Sequence, residues 1–463
     1  MEKTKRIKEL RLPARASLWY MGTSVAVKLV GLLTTPIFTR ILTEEAYGSL
    51  TYYMSFVAMG LGVVSTMFSP AVIYKGLGEY ETDGDEYIGA VLLSKILVVG
   101  IICTFLFAFS DIVGFNRWLV LFLLLQLLCD AVITLYEARE RFHYSYMSVV
   151  KINIIKAVIP PILSLFFFYR FDFGYLGRVY STLIISLFIA VPIFLKLLPS
   201  LPADKKMLVY IARQSLPFLP LAITTAANSS VDRIILKKLL GAASLAKYSV
   251  THTVGLGLSF ITGALSSALT PWAMRKLKSG NLEIVRRIGY VIFRGVSGAC
   301  LFVIALAPEV LEFLAPNRYS EAAVAVLPIA LSITPSFLYT YSNIALVWQE
   351  RGGVSSLGAA LSLGVNVVAN LFLIPRLTYL GAGLALLFSS LTLAVVNLVF
   401  LSILRIGKVI DVLRSSVTFI LTSVFAVLLS LIYEYAILKF LLLFVPLAMI
   451  LYSLYEAKRY VLE

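Results

Sequence analysis

Charge is what this chain has least of: Asp, Glu, Lys and Arg together make up 14% of its 463 residues, against about 25% in soluble proteins. Histidine and cysteine are scarcer still, with two of one and three of the other. His143 and His252 stand apart from each other, and Cys103, Cys129 and Cys300 all fall inside apolar runs, where packing is their expected role. No metal-binding or redox spacing arises from them. A GxxxxGK(S/T) phosphate loop is missing, and no Ser, His, Asp constellation stands out. These gaps remove the usual means of soluble catalysis, so the expectation is no enzyme, no metal and no cofactor.

Apolar residues account for 60% of the chain, more than a soluble protein could enclose. They come in continuous runs of about twenty residues, the length a helix needs to cross the hydrocarbon. A barrel would need alternating ten-residue strands instead. The fold class is therefore an all-α integral membrane bundle of about fourteen transmembrane helices. The first six spans are read at 17–39, 49–70, 88–110, 115–137, 149–169 and 173–195. Six more follow at 211–232, 245–272, 283–306, 321–346, 353–375 and 378–403, and two close the chain at 413–433 and 436–455.

The net charge of +15 would suggest nucleic acid in a soluble protein, but topology accounts for it here. Segment 1–16 carries Lys3, Lys5, Arg6, Lys8, Arg11 and Arg15 without a cleavage site after a short apolar core, so it reads as an anchor before an uncleaved first span. Lys and Arg concentrate in the loops on the same side as both termini, which the positive-inside rule places in the cytoplasm of a multi-pass plasma-membrane protein. One loop departs from this, because Arg233, Lys237, Lys238 and Lys247 fall on the external side. The acidic stretch Glu79, Glu81, Asp83, Asp85 and Glu86 reads as a solvated cytoplasmic loop.

An internal repeat fixes the register. Ala14 to Leu18 (ARASL) matches Ala212 to Leu216 (ARQSL) at an offset of 198, Glu140-Arg141 matches Glu350-Arg351 at 210, and Gly174 to Gly177 (GYLG) resembles Thr378 to Gly381 (TYLG) at 204. The expected organisation is an N-terminal segment (1–16), an N-lobe of six spans (17–195), a cytoplasmic connector (196–210), a C-lobe of six spans (211–403), and two additional spans with a tail (404–463). An even span count per copy relates the lobes by a pseudo-twofold axis along the membrane normal, the plan of transporters that rock around a central site. Prolines within spans, Pro36, Pro160, Pro161, Pro192, Pro217, Pro220, Pro271, Pro328 and Pro335, are candidates for hinges.

The residues that bear on function are the ionisable ones placed where lipid should be. Lys28 lies about 18 Å into the first span at 1.5 Å per residue, where a charge costs roughly 2.5–3.5 kcal/mol on insertion scales. It should face water or a counter-charge, and the repeat places Ala226 at the equivalent position. Lys95 and Arg294 occupy matching places in spans three and nine. Lys156 and Asp130 lie at similar depth in spans five and four, so an ion pair of Asp130 with Lys95 or Lys156 competes with a substrate role. Arg15 and Arg213 open spans one and seven and complete the candidate substrate contacts. Asp130 is the candidate for ion or proton coupling, and Asp232 and Arg233 read as local contacts at the end of span seven. Four buried cations against one buried acid point to an anionic cargo, and phosphate suits convergent Lys and Arg. Moving a diphosphate of charge about −2 outward is favoured by roughly 4.6 kcal/mol per 100 mV of inside-negative potential.

Pro36 to Gly48 (PIFTRILTEEAYG), the segment beginning Asp232-Arg233, and Ile374 to Ser389 (IPRLTYLGAGLALLFS) resemble the Wzx-type polysaccharide flippases of the multidrug, oligosaccharidyl-lipid and polysaccharide exporter superfamily. The resemblance runs over nearly the whole chain, carried by order and spacing. It implies a polyprenyl-diphosphate-linked oligosaccharide as substrate, a monomer acting in the membrane, contacts with other polysaccharide-assembly proteins, and no nucleic acid. By analogy with lipid II flippases it also implies that the last two spans border a groove for the lipid tail, beside a plain packing role. Two alternatives stay open. A drug or cation antiporter of the same superfamily would want acids facing the cavity, and a membrane-embedded polymerase or glycosyltransferase would want a long external loop bearing carboxylates.

Overall fold

The computed structural model describes residues 2–200, 204–349, 353–404, 409–433 and 435–462, without the side chains at 2–15, 17, 18, 112, 268, 436, 437 and 460–462. Among these residues every regular element is helical, as a chain with no water to satisfy its backbone requires. Contacts divide it into two compact units: Met1–Ile37 with Ser49–Ser230, and Phe38–Gly48 with Val231–Glu463.

The first unit is built on α1 (Glu2–Ile41) and α2 (Glu44–Met67), apart from the end of α1 and the start of α2 that fall in Phe38–Gly48, and on α3 (Pro70–Glu79), α4 (Gly84–Ala108), the one-turn α5 (Ser110–Val113), α6 (Arg117–Phe142), α7 (Tyr146–Phe171), α8 (Leu176–Leu197), α9 (Lys205–Ser215) and α10 (Leu219–Asn228). The second holds α11 (Val231–Gly255), α12 (Ser259–Lys278), α13 (Leu282–Ala305), α14 (Ala307–Leu314), α15 (Val326–Leu331), α16 (Ile333–Trp348), α17 (Gly353–Ile403), α18 (Val412–Leu431), α19 (Ala436–Leu442) and α20 (Phe444–Leu462). Among the described residues, thirteen helices are long and apolar enough to cross a membrane. The longest, α17, runs 51 residues and breaks at Thr378, whose φ of 51° and ψ of −122° leave the helical region. Each side of that break is long enough for a crossing, which brings the structure to the fourteen spans read from the sequence.

Two details differ from that reading. Residues 233–244, expected as a loop, belong to α11 and are helical except at Gly241, where φ of 86° kinks the helix. The four basic residues assigned to that loop thus stand on a helix, and glycine supplies the left-handed turn without a Cβ clash. The second detail is that α9 and α10, which the repeat assigns to the second copy, pack in the first unit. Met207 and Ile211 of α9 are buried, and α9 contacts α3 and α4.

Helix breaks recur at the spacing of the sequence matches. The chain is out of helix at Leu42 and Thr43 and kinks at Gly241, 198 residues after Thr43. Helices then begin at Gly84 and at Leu282, again 198 apart. Asp172 and Thr378 lie 206 apart and share a φ of 51°.

The motif from Pro36 to Gly48 finds its explanation inside the second unit. Arg318 donates from Nη2 to the carbonyl oxygens of Thr39 and Leu42, each at 2.9 Å, and so satisfies two groups left orphaned at the end of α1. Arg40 reciprocates by donating to Phe313 O at 3.1 Å, and Thr39 Oγ1 donates to Leu314 O at 2.7 Å. Gly48 permits the close approach, because a Cβ there would lie 1.7 Å from Ala242 O. At the other end of the unit, α20 packs on α13 where Gly295 and Gly298 leave room for Ser453 and Met449.

Arg318→Ala removes the donor to two helix-end carbonyls and should cost about 1–3 kcal/mol. A lowered melting temperature of the purified protein is the expected readout, and an unchanged one would show that Arg318 contributes nothing to stability.

Candidate functional site

The helix α6 carries a polar stripe through an otherwise apolar segment. Gln126, Asp130, Thr134, Glu137 and Arg141 follow one another at intervals of three or four residues, which places them on one helix face. From first to last the stripe rises about 22 Å at 1.5 Å per residue, most of the hydrocarbon thickness.

Neighbouring helices bring partners to each level of the stripe. Lys156 of α7 donates to Asp130 Oδ1 at 2.6 Å, and Gln126 Nε2 lies 2.9 Å from both Asp130 Oδ2 and Ser186 Oγ of α8. Thr134 Oγ1 accepts from Lys95 Nζ at 3.1 Å and donates to Asp130 O at 2.8 Å. Lys95 is 1% exposed, and no ion pair joins it to any carboxylate among the described residues. Asn153 of α7 donates from Nδ2 to Glu137 Oε1 at 2.8 Å, while Arg141 Nη2 lies 3.5 Å from Glu137 Oε2.

Two small cavities open beside this stripe. One, of about 140 Å³, is lined by Ser65, Phe68, Lys95, Thr134, Glu137 and Arg141, with Pro70, Ile73 and Ala138. The other, of about 150 Å³, is lined by Tyr20, Thr23, Ser24, Lys28, Arg141 and Asn153, with Val27, Val149 and Val150. Arg141 borders both, so a lysine from α4 and a lysine from α1 each share a cavity with the same arginine. A wider basin of about 730 Å³ lies elsewhere in the unit, lined by Glu81, Asp83, Asp85 and Glu86 with Arg139 and His143. Its sign is wrong for an anion, and Arg139 is already paired with Asp85 at 2.5 Å.

The other predicted site residues fall as follows. Lys28 and Lys95 line the two cavities, whereas Lys156 is engaged by Asp130, as the bland alternative had it. Arg213 is exposed on α9, next to Gln214, which accepts from Lys75 Nζ at 3.5 Å. The side chain of Arg15 lies outside the described residues. Arg294, in the second unit, donates from Nη2 to Glu456 at 2.7 Å and from Nε to Ser453 Oγ at 3.1 Å, with its guanidinium 4.4 Å from the centre of the Tyr452 ring. It fastens α13 to α20.

The sequence reading missed Glu137, Arg141, Gln126 and Asn153 as site residues, although the spacing on α6 was there to be read. His252 was also read as isolated and Asp232 with Arg233 only as local end contacts, of which Arg233 N to Asp232 Oδ1 at 2.9 Å is one. In the second unit Tyr248 donates to Asp232 Oδ2 at 2.6 Å, and Arg233 Nη2 reaches His252 Nδ1 at 3.1 Å. Asp232, Tyr248 and His252 are buried, so these residues form one polar cluster on α11.

A helical membrane bundle of this length, with cations gathered along one seam, has the makeup of a transporter. A family model described as polysaccharide biosynthesis protein matches residues 14–276, more than half of the chain, and the chain belongs to that family. The fold is shared with solved transporters. The lipid II flippase MurJ in an inward closed conformation superposes with a TM-score of 0.65 at 12% identity, covering 92% of this chain and 99% of that one. An inward-facing multidrug resistance MATE family transporter of the MOP superfamily gives 0.64 at 15%, covering 83% and 95%. The Vibrio cholerae MATE transporter VcmN in its bent form gives 0.54 at 17%, covering 86% and 98%. Comparison with curated protein sequences gives no match. The superfamily fold is thus the one that the Wzx resemblance implied.

Removing Lys156 would leave the buried Asp130 carboxylate without its cation. Lys156→Met should destabilise the protein by about 3–5 kcal/mol, and adding Asp130→Asn should recover most of the loss. Thermal unfolding of both variants checks this, and equal stability of the double and single variants would show that the pair is not what stabilises the seam.

Proposed function

We propose that this protein is a flippase that carries a polyprenyl-diphosphate-linked oligosaccharide from the cytoplasmic to the outer leaflet, for surface polysaccharide biosynthesis. The observation that carries this reading is the pair of chambers meeting at Arg141, one lined by Lys28 and the other by Lys95. Basic groups held in an apolar surround attract an oxyanion more strongly than they would in water. Both termini are cytoplasmic in this proposal, as the distribution of Lys and Arg suggests. Two six-span lobes then alternate access to the headgroup from either side, while the lipid tail stays in the bilayer. The inside-negative potential drives the diphosphate outward, and ion coupling is assigned to Asp130, whose hold on Lys156 would loosen when a proton neutralises its carboxylate.

The antiporter alternative is disfavoured by the same carboxylate. Asp130 is occupied by Lys156 and Gln126, and Glu137, the acid on the smaller cavity, is bonded by Asn153 and faces Arg141. A cationic drug would meet lysine and arginine first.

The test is reconstitution into vesicles with a labelled polyprenyl-diphosphate glycan. Lys28→Ala should slow flipping about 10- to 100-fold, the worth of one charge-assisted contact of 1.5–3 kcal/mol. Wild-type rates in that variant would remove Lys28 from the site, and no flipping by the wild type would overturn the proposed function.

A further inference from the structure

The chamber on α1 is too small for a glycan. Ligand pockets of drug size measure roughly 300–1,000 Å³, whereas this one measures about 150 Å³. It has room for one compact group.

Its walls specify what that group is. Among the described residues no carboxylate lines the chamber, and Lys28 and Arg141 bring two cations to its wall. Thr23 Oγ1 is committed to Trp19 O at 2.7 Å, and Asn153 Nδ2 is committed to Glu137 Oε1 and Val149 O at 2.8 and 2.9 Å. Tyr20 is the anomaly, since its hydroxyl is shut off from solvent and finds no hydrogen-bond partner among the described residues. An enclosed hydroxyl without a partner calls for one. The Tyr20 ring lies 5.2 Å beneath the Arg141 guanidinium, a cation–π contact that orients the fork. The ion pair of Arg141 with Glu137 is long, at 3.5 Å, and the arginine side chain is 41% exposed. Such a contact is weaker than the bidentate bond a guanidinium makes to a phosphate.

We infer that this chamber is a phosphate-ester subsite, in which Arg141 exchanges Glu137 for the oxygens of one phosphate group and the Tyr20 hydroxyl donates to the same group beside Lys28. The inference rests on the flippase reading and refines it, because it assigns recognition to Tyr20 and makes Glu137 a competitor of the substrate. Glu137 remains bonded to Asn153 when Arg141 leaves it.

The two ideas separate in a binding experiment on the purified full-length protein in lipid nanodiscs. Titration calorimetry with a polyprenyl monophosphate is compared with a polyprenol bearing no phosphate and with inorganic phosphate. Tyr20→Phe, which keeps the ring, should weaken the monophosphate about tenfold, as expected for losing one hydrogen bond to a charged group. Glu137→Gln should tighten it several-fold, and inorganic phosphate should displace it at millimolar concentration. Unchanged affinity in Tyr20→Phe, or weakening in Glu137→Gln, overturns the subsite while leaving the flippase reading in place. Binding of polyprenol as tight as that of the monophosphate also overturns the subsite, since the phosphate would then contribute nothing. Should the wild type bind no phosphate at all, both readings fail together. A melting temperature equal to the wild type in both variants confirms that binding, and not folding, is measured.

Discussion

Everything in the first unit follows from the cost of keeping charge in a medium that cannot solvate it. A carboxylate on the face of α6 has to be neutralised where it stands, and Lys156 meets Asp130 at 2.6 Å to do so. Once that pair is set, Gln126 completes the carboxylate's bonding below it and donates to Ser186 as well, and Thr134 links its helix turn to Lys95 above. The seam continues through Glu137 to Arg141, where two cavities begin. The stripe is satisfied at one end and open at the other, and the open end is where an external anion has something to offer.

The second unit spends its polar residues differently. Arg318 and Arg40 cap each other's helix ends, Arg294 ties α13 to α20, and Lys439 of α19 pairs with Glu309 of α14. These contacts are internal and complete. The motif from Pro36 to Gly48 thus has a structural reading, since its carbonyls and its glycine are what the joint needs.

Much of the architecture was legible in the sequence because hydrophobic length is a strong signal in membranes. The helical membrane-spanning fold followed from it. Helix breaks were harder to read: 233–240 carries enough charge to suggest a loop, yet it is helical up to Gly241, and only the φ of that glycine marks the turn. Choosing among partners was harder again. Depth alone put Asp130 within reach of either Lys95 or Lys156, and only the packing of α4, α6 and α7 settles that Lys156 takes it. Matching positions in the repeat suggested that Lys95 and Arg294 act alike, but Arg294 has Glu456 beside it and Lys95 has only a hydroxyl. The stripe itself was visible at helical spacing, and reading Asp130 without its neighbours four residues away on either side is what hid Glu137 and Arg141.

The central claim is that the open end of the α6 seam receives the phosphate of a lipid headgroup. The most direct measurement is an electron cryomicroscopy map of the protein in nanodiscs saturated with a polyprenyl-diphosphate glycan. The account predicts phosphate density within hydrogen-bonding distance of Arg141 and Lys28, with Arg141 turned away from Glu137. Headgroup density elsewhere in the protein, with the Arg141 to Glu137 contact intact, would contradict it.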